Sequence, residues 1–281
     1  MAATALHHCR VLSSPWPGVY GVQTDSARHF GRHWHGTFGI GLLEQGAQRS
    51  ASGRGAVEAF AGDLITSNPG EVHDGRPLGE ASRRWHMVHL DPAVIAAMAA
   101  PGRSLLDVEW TRPVIQDASL RAALQRLLRQ MDHWSAGRSV TDADRLACEE
   151  SLAETCGLLL DHHSTATPAE DTSGDVAQVR ERLADEVLDP PTLAELAAMA
   201  GLSRYQLLRR FTQAYGVPPH AWLLQQRVER ARRLIRDGND LVTAALAAGF
   251  ADQSHMTRLF GRHFGFTPGA WQRVAARKRS Q

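Results

Sequence analysis

The sequence predicts a chain of two parts. The first is an all-β barrel with attached helices. The second is an all-α domain with two helix-turn-helix units joined by a long helix. Three observations carry this. Residues 1–112 break into short apolar runs between glycine and proline turns, as many short strands do. Residues 200–275 repeat themselves at an offset of 49. The two parts also differ in charge. Residues 176–281 hold 16 Lys+Arg against 9 Asp+Glu, a net +7, and residues 1–175 hold 15 against 21, a net −6.

The strand candidates come first along the chain. Residues 38–43 are an apolar run closed by Glu44-Gln45-Gly46. Asp63-Leu64-Ile65-Thr66 is closed by Asn68-Pro69-Gly70, and residues 84–90 are halted by Asp91-Pro92. Residues 92–100 are expected to form a short helix. Two longer helices follow. Residues 118–134 place Leu120, Leu124, Leu127, Leu128 and Met131 at helical spacing, and residues 141–162 do the same with Leu146, Leu152 and Leu158–160. These two helices are expected to pack on the barrel or to pair subunits into a homodimer. Residues 164–175 lack apolar periodicity and read as a linker. The expected division is therefore a β-barrel at 1–112, a helical dimerisation region at 113–163, a linker at 164–175 and a helical domain at 176–281.

Helix signals punctuate the last segment. Asp189-Pro190-Pro191 ends a helix begun near residue 176. Thr192 with Glu195 reads as a capping box. Gly201 breaks that helix, Ser203 caps the next, and Gly216 with Pro218-Pro219 stops it. A helix over residues 220–236 follows, then a short one over 241–248, a turn at Gly249, and a last recognition-type helix over 253–264.

The repeat concerns these helices. Leu207, Arg209 and Phe211 recur 49 residues on as Met256, Arg258 and Phe260, and Gly216, Pro219 and Trp222 recur as Gly265, Pro268 and Trp271. At 100° per residue, Leu207 and Phe211 form a buried stripe. Arg204, Tyr205, Leu208, Arg209 and Thr212 cover an outer sector. In the second copy the outer sector holds Gln253, Ser254, Thr257, Arg258 and Gly261. Such outer sectors suit base edges in the major groove, where each arginine can pair bidentately with guanine. The linking helix, about 17 residues or roughly 25 Å, could set the two prongs one duplex turn apart. On it, Arg227, Arg230, Arg232, Arg233 and Arg236 are candidates for phosphate contacts, or else intrahelical partners of Glu229 and Asp237. The net +7 of this part suits a polyanion. Of the 31 cationic residues all but Lys278 are arginine, which a GC-rich gene also explains.

Other classes find no support. Cys9, Cys148 and Cys156 lack metal-type spacing and read as free thiols of a reducing compartment. No apolar run nears the roughly 18 residues a membrane span needs. No Gly-x-Ser-x-Gly, Walker A or His-Glu-x-x-His pattern is present, so no catalytic residue and no cofactor is expected.

Residues 192–271 resemble the DNA-binding domain of the AraC/XylS family of bacterial transcription regulators. The resemblance rests on Leu196-Ala197, Gly201-Leu202-Ser203, Arg210-Phe211, Gly216, Arg227, Ala231, Leu234, Gly249-Phe250, Phe260, Phe264-Gly265 and Thr267-Pro268. It implies that Arg204, Tyr205, Leu208 and Arg209 in the first helix, and Gln253, Ser254, His255, Thr257 and Arg258 in the second, face double-stranded DNA. It also implies a small-molecule effector, a cytoplasmic, nucleoid-associated location, and RNA polymerase as a partner if the chain activates. Two features depart from the pattern: Leu208 is apolar on a base-reading face, and residues 245–248 are unusually Ala-rich, which predicts looser packing there.

In the first part, His33-Trp34-His35 and the stretch from Gly62 to His73 resemble the paired motifs of a cupin barrel, over about residues 25–95. On a strand both His33 and His35 would face one side. In metal-binding cupins two histidines, a carboxylate and a later histidine hold the ion. His33, His35 and His73 match three of these, and no carboxylate stands near residues 39–41. The resemblance to the regulator family implies an effector pocket instead, with His33, His35, Glu71, His73 and Trp85 as lining candidates and Trp34, His86 and His89 behind them. A metal-dependent cupin enzyme or metal sensor using His33, His35 and His73 is the alternative. A DNA-binding architectural protein with a ligandless barrel is the third reading.

Overall fold

The computed structural model describes residues 7–79, 82–99, 108–136, 141–166 and 175–279. The chain divides into two compact units, residues 1–138 with 151–171, and residues 139–150 with 172–281. Residues 113–163, expected as one helical region, contribute to both units. Of the expected linker, residues 167–174 lie outside the described residues.

The first unit contains β1 (His7–Leu12), β2 (Val19–Ser26), β3 (Phe30–His33), β4 (Phe38–Gln45), β5 (Ala47–Ser52), β6 (Gly55–Phe60), β7 (Leu64–Ser67), β8 (His73–Pro77), β9 (Arg83–Leu90) and β10 (Val114–Ile115). A six-stranded sheet runs β1-β2-β9-β4-β7-β10 and a four-stranded sheet runs β3-β8-β5-β6. All pairings among these strands are antiparallel. The three strands read from the sequence are β4, β7 and β9. β4 lies between β9 and β7 and is buried on both faces through Leu43, which explains its continuous apolar run rather than alternation. β9 alternates. Val88 and Leu90 are fully buried on one face, while Arg83, Trp85, Met87 and His89 face a cavity between the sheets.

A short helix α1 (Pro92–Met98) follows β9, and α2 (Ala118–Ser135) packs on the six-stranded sheet. Leu120, Leu124, Leu127 and Met131 of α2 are each fully buried. Each such side chain contributes about 1.5–3 kcal/mol. Asp117 starts α2 by accepting from the amides of Ser119 and Leu120. The next helix, α3 (Asp142–His162), buries Leu152, Leu159 and Leu160 in this unit, while its first turns belong to the second. The apolar faces of α2 and α3 are thus occupied within the chain.

The second unit is helical: α4 (Ala177–Asp185), α5 (Leu193–Ala200), α6 (Arg204–Tyr215), α7 (Pro219–Arg236), α8 (Leu241–Ala247), α9 (Gln253–Phe264) and α10 (Pro268–Arg279). The expected punctuation is present. Thr192 and Glu195 form a capping box at α5, and Ser203 and Gln206 form another at α6. Gly201, Gly216 and Gly265 end α5, α6 and α9 in the left-handed conformation. From the first turns of α3, Glu149 accepts the Leu193 amide at 2.6 Å and Glu150 the His220 amide at 2.6 Å. These two carboxylates supply acceptors to the N-terminal turns of α5 and α7. The Ala-rich α8 is not loosely packed. Ala244, Ala245 and Ala248 are fully buried in a core with Val228, Ile235, Met256 and Phe260. Small side chains let α8 approach α7 and α9 closely. No helix among the described residues is long and apolar enough to cross a membrane.

Candidate nucleic-acid interface and ligand cavity

The two recognition-type helices are α6 and α9, of 12 residues each. Leu207 and Phe211 in one, and Met256 and Phe260 in the other, are fully buried. These pairs fix the rotation of each helix about its axis. Arg209 and Arg258 are consequently exposed, as is Ser254, while Tyr205, Gln253 and Thr257 are half-buried. One expected residue sits differently. Leu208 is buried in the core, so it is not part of an outer face. Its helix carries a wider apolar stripe than the Leu207–Phe211 spacing alone predicts. Arg204 is half-buried and stands within electrostatic reach of Glu149 on α3. His255 is half-buried with its ring edge-on to Phe250 at 5.5 Å. Burial holds the His255 imidazole below its usual pKa, though Asp144 opposes the shift.

The arginines of α7 mostly serve the frame. Arg227 is buried and donates to the carbonyls of Val187, Leu188 and Gly249. It is therefore no phosphate ligand. Arg230 donates to the Ala247 carbonyl at 3.0 Å. Arg232 pairs with Glu229 and lies over the rings of Phe264 and Trp271. Arg236 pairs with Asp237. Arg233 is exposed. The intrahelical alternative thus holds for Arg232, and Arg236 pairs with its own neighbour.

In the first unit, the sheets enclose a cavity of about 500 Å³. His33, His35, His73 and Trp85 line it, as does His89. His33 and His73 are cross-strand partners on β3 and β8, with rings 4.6 Å apart. His35 lies past the end of β3, not on a strand as expected, yet its ring reaches both. One ligating atom from each of His33, His35 and His73 lies within 4.8 Å of the others. His33 Nδ1 donates to the Gly31 carbonyl at 2.7 Å and His73 Nδ1 to the Glu71 carbonyl at 2.8 Å. A carbonyl only accepts, so Nδ1 carries a proton in each ring and Nε2 is the atom left to ligate a metal. Burial lowers the pKa of His35 and takes that of His89 to about 4, with neighbouring imidazoles adding to both shifts. Both rings are neutral at pH 7.

Glu71 is not in this cavity. Its carboxylate takes a two-pronged pair from Arg54, at 2.8 and 2.6 Å, and accepts the Asn68 amide. Burial would raise its pKa, but the hydrogen bonds from Arg54, Ser52 and Asn68 outweigh it and hold the carboxyl below its usual value. Trp34 is 63% exposed and His86 faces away from the cavity, bonded to Glu44 at 3.0 Å. The absent carboxylate near residues 39–41 has a steric counterpart. A Cβ on Gly39 or Gly41 would come 2.9 or 2.1 Å from side-chain atoms of Met87. Met87 therefore fills the space a longer side chain there would need.

Sequence reasoning missed Arg83. It is 1% exposed, lines the cavity, and burial lowers its pKa to about 10. The signal was present in the alternation of β9, which puts position 83 on the face of Trp85, Met87 and His89.

The family described as AraC-like ligand binding domain matches residues 17–155, and the family described as helix-turn-helix domain matches residues 196–274. The chain is 32% identical over 252 residues to the HTH-type transcriptional activator RhaS of Klebsiella pneumoniae (strain 342), across 85% of this chain and 86% of that protein. The chain belongs to the AraC family of transcriptional regulators. This AraC-family chain is also 27% identical over 232 residues to the uncharacterized HTH-type transcriptional regulator YbfI of Bacillus subtilis (strain 168), across 81% of each. A solved structure of a probable AraC family transcriptional regulator from Rhodopseudomonas palustris CGA009 is 28% identical, with a TM-score of 0.34, across 36% of this chain and 95% of that one. The AraC-family chain accordingly joins a ligand-binding domain to a DNA-binding helix-turn-helix domain.

Proposed function

We propose that this regulator reads operator DNA through Arg209 and Arg258, with Tyr205, Gln253, Ser254 and Thr257 beside them, under control of an effector held in the first unit. It acts as a binding protein without catalysis, in the cytoplasm at the nucleoid, as a homodimer, with RNA polymerase as a partner where it activates. In functional terms residues 1–112 sense, residues 113–163 carry dimerisation, and residues 176–281 bind DNA. Pairing of subunits would use the exposed faces of α2 and α3, since their apolar faces are covered. The effector acts only if it binds one arrangement of the protein better than another.

The observation that carries this reading is the matched pair of helices. Leu207 and Met256 are both buried, Phe211 and Phe260 are both buried, and Arg209 and Arg258 are both exposed. An exposed arginine on the outer face of a recognition helix suits guanine O6 and N7. The test is selection of bound sequences from random duplexes with the full-length protein. Two conserved half-sites about one helical turn apart are expected. A single half-site, or no enrichment, contradicts the reading. For the effector, a thermal-shift screen against metabolites should find a stabiliser, since ligand at 100 times its Kd adds about 2.7 kcal/mol.

A second reading rests on the three clustered histidines. His33, His35 and His73 would hold a divalent cation such as Zn²⁺ through imidazole nitrogens, with open positions left over. The spacing of their ligating atoms and the two Nδ1–carbonyl bonds support it. Metal analysis of the purified protein tests it. Stoichiometric metal that is lost in a His33→Ala/His35→Ala variant favours a metal sensor, and metal-free protein excludes it.

A further inference from the structure

Among the described residues, nothing neutralises the charge of Arg83. Its Nε donates to Gln48 Oε1 at 3.0 Å and its Nη1 to the Arg28 carbonyl at 3.1 Å. Its guanidinium lies 4.7 Å from the ring centroid of Trp85 and 5.6 Å from that of Phe30. Among the described residues no carboxylate pairs with it, and its Nη2 makes no hydrogen bond. Asp74 is the carboxylate in the cavity lining, and its Oδ1 is taken by the Ala51 amide at 2.8 Å.

An arginine stays charged when buried. An unpaired buried ion costs several kcal/mol. Neutral dipoles and ring faces offset part of this. Packing alone would be met at lower cost by an apolar side chain of similar volume. The rest of the lining adds no permanent charge of either sign beyond Asp74. Among its histidines, burial favours the neutral form of His35 and His89. The lining also holds the apolar side chains Val22, Phe30, Trp85 and Met87, of which Phe30 and Trp85 flank Arg83.

We propose that the effector is a small monocarboxylate with an apolar body, its carboxylate seated on Arg83 and its body lying along Phe30, Trp85, Val22 and Met87. A carboxylate matches the plane of the guanidinium and supplies the counter-ion that no described residue provides. A single charge is matched by a single permanent cation. A dianion such as a phosphate monoester would leave one buried charge uncompensated. This rests on reading the cavity as the effector site, and it adds the chemical class of the effector.

The experiment uses the full-length protein in chelator-treated buffer, which keeps the histidine cluster free of metal. Benzoate, phenylacetate and octanoate, each beside its amide, are the probes, with phenyl phosphate as the dianion. Thermal shift and calorimetry read binding. At least one acid should raise Tm while its amide does not. Arg83→Met should weaken that acid by about 10- to 100-fold and leave the free protein at least as stable as the parent. Should Arg83→Met fail to fold, Arg83→Gln serves the same comparison. Absence of binding by all three acids, equal binding of acid and amide, preference for phenyl phosphate, or unchanged acid affinity in the variant each overturns the proposal. The two levels separate cleanly. Amides that bind, and lose affinity on Trp85→Ala, leave the effector cavity standing while the carboxylate claim falls. Failure of the whole metabolite screen removes the cavity reading itself.

Discussion

The guanidinium of Arg227 donates to the carbonyl of Gly249 at 2.6 Å. The same side chain donates to the Val187 carbonyl at 2.9 Å. One buried residue on α7 is thereby tied to the segment before α5 and to the turn before α9. Gly249 has φ +89°, and a Cβ there would stand 2.9 Å from Arg227 Nε. Glycine is needed twice over, for the backbone and for the contact. The arginine thus helps to hold the frame on which α6 and α9 sit.

Gly249→Ala should therefore destabilise the helical unit by about 1–3 kcal/mol. Arg227→Met, which strands three carbonyls, should cost about 2–4 kcal/mol. Urea denaturation followed by far-UV circular dichroism measures both. Unchanged midpoints would remove the frame role.

His220 gives the helical unit a pH dependence. Burial lowers its pKa to about 4, Arg227 and His255 add to the shift, and Asp144 opposes it. The carboxylate of Glu150 takes its backbone amide. The unfolded chain binds the proton from about pH 6.5 downward, whereas the folded chain resists it to about pH 4. Stability from this residue is full above pH 6.5 and is lost as pH falls toward 4. Denaturation midpoints between pH 7 and 4.5 should fall, and His220→Asn should flatten that slope. An equal slope in the variant would assign the loss to other groups.

Glu71 is a structural residue beside the cavity. Glu71→Ala leaves Arg54 unpaired in a site where the two side chains are 12% and 24% exposed. A loss of roughly 2–4 kcal/mol in barrel stability is expected. Effector affinity should be unchanged once the protein is folded, as calorimetry would show. Selective loss of effector binding without loss of stability would return Glu71 to the site.

Binding of duplex DNA should depend steeply on salt. The basic balance of residues 176–281 means release of counterions, with the logarithm of affinity falling by about 0.9 per phosphate contacted for each logarithmic unit of salt. Arg227, Arg230, Arg232 and Arg236 are committed to carbonyls or acids. The slope should therefore be smaller than the arginine count of α7 implies. Fluorescence anisotropy from 50 to 300 mM salt reads it, and a flat response contradicts the basic-face argument.

Much of this arrangement was legible in the residues. The capping pair Thr192–Glu195 and the cap at Ser203 are local chemistry, so they are read directly from the residues. The offset of 49 fixes which positions of α6 and α9 are equivalent, and burial follows from it. What periodicity could not resolve is the width of a buried stripe. Leu208 is buried beyond the Leu207–Phe211 stripe, and Arg204 and His255 stand within electrostatic reach of Glu149 and Asp144 on α3, distant in the chain. The histidine cluster was legible as spacing, because His33 and His35 are near neighbours. That Glu71 turns to Arg54, 17 positions earlier, and that β9 presents its odd-numbered side to the cavity, depend on which strands pair. Strand pairing is set by tertiary packing and leaves no mark at either residue.

The most direct test of the central claim compares Arg209→Ala and Arg258→Ala on the selected operator and on random duplex. Each substitution should weaken operator binding by roughly 1–3 kcal/mol and relax preference at its own half-site, with a much smaller loss on random DNA. Equal losses on both duplexes, or no loss on either, would contradict twin base-reading helices.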